Sequence, residues 1–265
     1  MPRRNLIKQR LQGQLLSIGC WLTLVSPAGA ELLAHCGFDW LVVDCEHGPS
    51  DTGDVAAQLR AIDAASAHGA PVSAAVRVAA NDPSLVKRAM DCGAQTIVFP
   101  NIESANDAQA AVASMRFPQS GGVGTRGVAG MVRAGLYGLD TDYVGKANDE
   151  ACTIVLIESD EAVRKVREIA EVDGVDCLFI GTADLSASMG HLGNPGHPAV
   201  RDAIEAVVAA AAQARKAVGI FATSAAEAIG YHNRGISFIA LHSDVAWLAR
   251  GASQELAALR GEINA

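Results

Sequence analysis

Apolar residues along this chain come in short blocks separated by longer alanine-rich stretches. Eight blocks carry the β-branched and large aliphatic residues expected of buried strands: residues 16–24, 40–44, 72–78, 96–99, 153–157, 177–180, 218–221 and 238–241. The stretches between them predict helices at 54–67, 84–90, 105–115, 161–169, 200–216, 225–233 and 245–260, with a further helix opening near Ser26 and Pro27. Asp82-Pro83 supplies an N-cap followed by proline at the first helical position. Gly93, Gly174 and Gly235 follow helices, where a left-handed cap is expected. Eight strands, each followed by a helix, predict an α/β fold of the closed (β/α)₈ TIM-barrel type rather than an open doubly wound sheet. Such barrels run to about 250 residues as one domain, so residues 1–265 are read as a single domain. Residues 116–150 break the rhythm: they are glycine-rich, lack a clear period and exceed an ordinary connection.

Composition narrows the picture. Half the residues are hydrophobic and 5% are aromatic, so the core is built mainly from Ala, Val, Ile and Leu. A net charge of -8, with no basic run after the first ten residues, argues against a nucleic-acid partner. No stretch approaches the roughly 18 apolar residues of a membrane span. Arg3, Arg4, Lys8 and Arg10 precede an apolar stretch that ends near a small-residue segment at 27–30, which mimics a secretory signal. The barrel needs that apolar stretch as its first strand, so the reading is a surface leader, then a strand, then a helix. Six cysteines without a Cys-x-x-Cys pair read as reduced thiols in a cytoplasmic protein.

In a TIM barrel the chemistry sits at the C-terminal ends of the strands. Those ends carry Asp44-Cys45-Glu46-His47, then Arg77, Glu158, and Gly181-Thr182-Ala183-Asp184. Carboxylates, a histidine and an arginine therefore converge on one mouth, where two carboxylates suit a hard divalent cation completed by water and substrate oxygens. Any single acid there could equally be a solvated loop residue or a helix cap.

The run Phe38-Asp39-Trp40-Leu41-Val42-Val43-Asp44-Cys45-Glu46-His47-Gly48-Pro49 resembles the signature of the HpcH/HpaI aldolases, the metal-dependent pyruvate aldolases. The resemblance continues through Val76-Arg77-Val78, Gly93-Ala94-Gln95-Thr96, Gly124-Thr125-Arg126-Gly127, Ile157-Glu158-Ser159 and the segment from Phe179 to Ser186, and covers the chain from about Ser17 to Gly251. It implies a phosphoenolpyruvate/pyruvate-type barrel, commonly a hexamer built as a trimer of dimers, with the C-terminal helix exchanged between subunits. It implies cleavage of a 4-hydroxy-2-oxo acid to pyruvate and an aldehyde. Glu158 and Asp184 match the family's ligands for Mg²⁺, Mn²⁺ or Co²⁺, Arg77 its enolate-stabilising arginine, and His47 its proton-transfer histidine. Asp91 matches an aspartate that the family places near that histidine, contributed by a neighbouring subunit. An acid at a helix C-terminus is also opposed by the macrodipole, which points to a second role.

The chemistry agrees with these residue types. A divalent ion acts as Lewis acid on an oxo acid, Arg77 adds fixed positive charge, and the N–H groups of 181–184 can hold a carboxylate. His47, oriented by Asp44 or Asp91, is the candidate base. Two departures stand out: Leu156 occupies a position where family members carry glutamine, and Thr182 one where proline is frequent. Gly122 to Gly127 satisfies G-x-G-x-x-G but follows no strand, so it reads as a flexible active-site or intersubunit loop in which Arg126 meets a substrate carboxylate. Six other histidines read as structural or surface residues, with His242 at a strand end. A Schiff-base mechanism needs a barrel lysine, and none of Lys8, Lys87, Lys146, Lys165 and Lys216 falls at a strand end. Two rivals are a carbon–carbon lyase acting on an acyl-CoA ester and a non-catalytic ligand-binding barrel.

Overall fold

The computed structural model describes residues 4–119 and 122–263. Helices end where the sequence places glycine: Gly93, Gly174 and Gly235 take φ of 106°, 93° and 88°, which side-chain-bearing residues resist. The described residues then form eight parallel strands: β1 (Ser17–Leu22), β2 (Trp40–Asp44), β3 (Ser73–Arg77), β4 (Thr96–Phe99), β5 (Cys152–Ile157), β6 (Val175–Ile180), β7 (Ala217–Ala222) and β8 (Phe238–Ser243). Each pairs with its sequence neighbours, and β8 closes on β1. The chain is thus a (β/α)₈ barrel, as its alternating pattern predicts.

Strand alternation divides the core into two layers. On β5, Cys152, Ile154 and Leu156 face the barrel interior, while Val155 and Ile157 join the larger layer between strands and helices. That outer layer takes the apolar faces of α2 (Pro27–His35), α3 (Thr52–Ala67), α4 (Pro83–Asp91), α5 (Ala105–Met115) and α10 (Pro198–Ala214). The predicted helix at 161–169 is two short helices, α7 (Asp160–Arg164) and α8 (Val166–Ala170), because Lys165 leaves helical geometry at φ -102°, ψ 10°. Helices α9 (Thr182–Ser188), α11 (Ala225–His232) and α12 (Asp244–Ile263) follow β6, β7 and β8.

Two expectations are corrected. The N-terminal segment is not a surface leader: α1 (Leu6–Gln12) buries Ile7 and Leu11 in the barrel-interior cluster. Asn5 caps that helix, and its amide donates to the Thr96 hydroxyl at 3.0 Å. The helix therefore closes the N-terminal end of the barrel. Residues 116–150 are not wholly irregular, since they contain α6 (Tyr143–Glu150) and a tight turn at Arg133–Gly138. Together with Gly93, Ala94 and Ala151 they line a cavity at the starts of β4 and β5, opposite the barrel mouth.

Candidate active site

Each mouth residue is placed by the end of its strand. Asp44 and Arg77 are register partners at the tops of β2 and β3. The Arg77 guanidinium grips the Asp44 carboxylate through two parallel bonds of 2.8 Å, Nε to Oδ1 and Nη2 to Oδ2. Its Nη1 lies 2.6 Å from Glu46 Oε2. Two of the five guanidinium N–H donors are then engaged in hydrogen bonds with Asp44, and the ion pair with Glu46 steadies the Nη1 end. Asp44 also accepts from the backbone N–H groups of Glu46 and His47, so the turn after β2 is wound around this carboxylate. Gly48 is required at that turn, because a Cβ would collide with the Asp44 carbonyl oxygen.

Glu158 follows β5 and continues the inward row of Ile154 and Leu156. It is buried, and its Oε1 accepts from the Asn101 backbone N–H at 2.7 Å. Asn101 reaches that position by adopting φ of 55° just beyond β4, a conformation asparagine tolerates better than most residues. Burial pushes the Glu158 carboxyl above its ordinary value; the Asn101 N–H opposes this, and the charges of Glu46 and Asp184 add to it. Glu46 is also raised, first by burial, with Arg77 and His47 opposing and Asp44 and Asp184 reinforcing. Asp184 is exposed in the first turn of α9, whose N-terminus no side chain caps.

These residues border two adjoining lobes. One, about 250 Å³, is polar and carries Glu46, His47, Asn101, Glu103, Glu158 and Asp184. The other, about 390 Å³, is walled by Trp21, Leu156, Phe179 and Phe221, with Asp44, Arg77, Gly181, Thr182 and Ala183 on its rim. His47, Glu158 and Asp184 border both. Neither lobe contains a lysine.

The donor set fits a hard divalent ion. Among the described residues no group of three or more His, Cys, Asp or Glu side chains could hold a metal alone. Two or three carboxylates whose charges raise one another, beside open volume for water and substrate oxygens, match the partly protein-built sites that Mg²⁺ and Mn²⁺ prefer.

Three expected site residues are placed differently. The Asp44 carboxylate contacts Arg77 and backbone N–H groups and not the His47 ring, so it orients the arginine rather than the base. Asp91 ends α4 at the far end of the barrel, where its carboxylate pairs with Arg126 Nη2 at 2.7 Å. Arg126 is itself buried, bonded to the Tyr143 hydroxyl at 2.9 Å and stacked 4.3 Å above the Phe117 ring. Within one chain neither residue reaches the mouth. His242 turns away as well, toward Arg250 and Trp247. Sequence reasoning overlooked Asn101, Trp21, Phe179 and Phe221; Asn101 and Trp21 sit at strand ends, where a polar or aromatic residue is a readable signal.

A (β/α)₈ barrel whose mouth gathers an arginine gripped by Asp44, a histidine and clustered carboxylates is built as an enzyme with its chemistry at the strand ends. Residues 17–250 match the family model described as HpcH/HpaI aldolase/citrate lyase. The chain is 49% identical to the hydroxypyruvate/pyruvate aldolase of Paraburkholderia phytofirmans, over 97% of this chain and 98% of that one. It is 42% identical to a 4-hydroxy-2-oxo-heptane-1,7-dioate aldolase of Salmonella dublin, over 98% and 97% respectively. A crystal structure of an HpcH/HpaI aldolase/citrate lyase family protein from Burkholderia cenocepacia superposes with a TM-score of 0.93 at 50% identity, covering 97% of this chain and 99% of that one. The chain belongs to the HpcH/HpaI aldolase/citrate lyase family, and it is a carbon–carbon lyase of the aldolase type.

Proposed function

We propose that this single barrel domain cleaves a 4-hydroxy-2-oxo acid to pyruvate and an aldehyde, and runs the reverse condensation, with a divalent ion held by Glu158 and Asp184. The observation that carries the reading is the meeting of Glu158, Asp184, His47 and the Asp44-gripped Arg77 around two adjoining lobes. The relatives' names carry pyruvate, hydroxypyruvate and 4-hydroxy-2-oxo-heptane-1,7-dioate, which are all 2-oxo acids.

A divalent ion held by Glu158 and Asp184 would supply Lewis acidity to an oxo-acid substrate. His47, exposed at the junction of the lobes, takes the proton from the C4 hydroxyl. As the C3–C4 bond breaks, its electron pair moves onto the C2 oxygen. The N–H donors of Arg77 that Asp44 leaves open meet the charge that grows there, and Asp44 prevents the guanidinium from reorienting. Trp21, Phe179 and Phe221 exclude water from that side. Asp91 and Arg126 serve a neighbouring subunit or the interface with it. α12 supports an assembly of several copies, since Leu248, Leu256 and Leu259 are 66%, 47% and 55% exposed on a helix projecting past the barrel. All six cysteines are free, as in a cytoplasmic protein. An acyl-CoA substrate fits less well, because among the described residues Arg77 is the only Arg or Lys lining either lobe.

The test is pyruvate release from a panel of 4-hydroxy-2-oxo acids. Activity should vanish with chelator and return with Mg²⁺, Mn²⁺ or Co²⁺, and borohydride with pyruvate should leave the enzyme active. Covalent capture of pyruvate on a lysine would refute the reading.

A further inference from the structure

Arg77 rests on a column of rings that runs the length of the barrel axis. At the floor, Trp40 and Phe238, the first residues of β2 and β8, stack with centroids 4.0 Å apart. Phe238 meets Phe179 edge-on at 6.3 Å, and Phe179 meets Trp21 edge-on at 5.9 Å. The Arg77 Cζ then lies 4.4 Å from the centroid of the Trp21 ring. All four rings belong to the barrel-interior cluster that Ile7 and Leu11 of α1 close from below.

Two glycines make room for this column. A Cβ on Gly19 would run into the Trp40 indole, and one on Gly219 would collide with Phe179 while touching Phe238 at 3.0 Å. Strand interiors disfavour glycine unless something must approach closely. Trp21 also buries its indole N–H with no hydrogen-bond partner among the described residues. A phenylalanine there would avoid that cost, so the indole offers something else: the strongest π face for a cation.

We propose that Trp21 is a positioning residue for Arg77, and that the column below it fixes the height of the guanidinium in the mouth. Asp44 and Glu46 grip Arg77 from the side, through Nε, Nη2 and Nη1. In-plane bonds leave the guanidinium free to tilt about the axis joining its partners. The Trp21 face removes that freedom. The inference rests on the reading of Arg77 as the cation that meets the C2 oxygen.

The test is a double-mutant cycle of Trp21→Leu and Arg77→Lys, assayed by oxaloacetate decarboxylation with Mn²⁺ present. Trp21→Leu should lower kcat roughly tenfold or more, the scale of a desolvated cation–π contact, with KM changed less than about threefold. Trp21→Phe should recover most of the loss. In the Arg77→Lys background, Trp21→Leu should cost less than about twofold, because lysine has no planar fork whose tilt Trp21 could fix. The same four proteins unfolded in urea with Mn²⁺ should show a coupling of at least about fivefold in the unfolding constant. Additive losses in the unfolding cycle overturn the proposal, whatever the kinetics. Coupling in unfolding with no loss of kcat in Arg77→Lys would remove the catalytic reading of Arg77 and leave its positioning by Trp21 standing.

Discussion

Gly181→Ala is a severe test of Glu158 as a metal ligand, because it moves that carboxylate without touching its chemistry. Gly181 sits at φ -87°, ψ 84°, close to the inverse γ-turn that residues with side chains also adopt, so its backbone does not itself demand glycine. Its new Cβ would lie 2.9 Å from both the Cβ and the Oε2 of Glu158, where ordinary contact begins at 3.4 Å. Something must therefore shift by about 0.5 Å, the difference between those two distances. Asn101 holds the opposite carboxylate oxygen at 2.7 Å, so the side chain cannot simply swing away. Ligand distances tolerate about 0.2 Å, and overpacking of this kind costs about 1–3 kcal/mol. We expect affinity for Mn²⁺, measured by calorimetry, to fall about tenfold or more, and the metal-free protein to lose about 2–4 °C in Tm per kcal/mol of strain. If the metal-free Tm falls while Mn²⁺ affinity stays within about twofold, Glu158 is not a ligand.

Three further outcomes follow from the same geometry. His47→Ala should slow aldol cleavage by roughly 10²-fold or more but spare oxaloacetate decarboxylation, which has no hydroxyl proton to remove, whereas Arg77→Ala should damage both; equal losses for His47→Ala would make its role binding. Glu158 and Glu46 are both raised above 4.5, chiefly by burial, so their ionised forms are disfavoured in the folded state; the metal-free protein should gain stability as pH falls from neutral toward 4.5, while Mn²⁺ affinity weakens over the same window, and a metal-free stability flat across it would contradict the placement. Leu156→Gln should shift kcat/KM between polar and apolar acceptor aldehydes, or change metal affinity, with the fold intact; a change under about twofold in both, below ~0.5 kcal/mol, would make position 156 packing alone.

The barrel was legible because burial on both faces leaves its strands as continuous apolar runs, and β2 and β4 have the bounds that the runs predict. The N-terminal helix was hidden: α1 has only seven residues, and its sole buried side chains, Ile7 and Leu11, stand among Lys8, Gln9 and Arg10. Only the open end of the barrel explains why that short amphipathic turn is ordered. Site residues adjacent to strand ends could be read one at a time, since position along a parallel strand fixes height in the barrel. Partnership could not. Asp44 serves Arg77 rather than His47 because β2 and β3 are in register at that pair, and register is not printed in either strand alone. Asp91 and Arg126 find each other across 35 residues because the segment after α5 folds back beneath β4, toward the wrong end of the barrel for a role in its own mouth.

The charge balance of the mouth favours an ion over an amine as the electrophilic partner of the substrate. Asp44, Glu46, Glu103, Glu158 and Asp184 bring five carboxylates to the two lobes, and Arg77 is the one guanidinium among the described lining residues. Arg77 grips Asp44 and also pairs with Glu46 at 2.6 Å, so its single charge is shared among several carboxylates. Two like charges about 5 Å apart at an effective dielectric near 20 repel by roughly 3 kcal/mol. A carboxylate cluster relieves that repulsion by binding protons or a cation of higher charge, and the repulsion adds to the burial that raises Glu158 and Glu46. A lysine placed here would be held protonated by the same field, and a protonated amine cannot attack a carbonyl. A divalent ion, in contrast, is drawn in by the field and still has coordination positions for the substrate's oxygens. The acidic mouth therefore opposes Schiff-base chemistry on electrostatic grounds, independently of where the five lysines of the chain happen to lie.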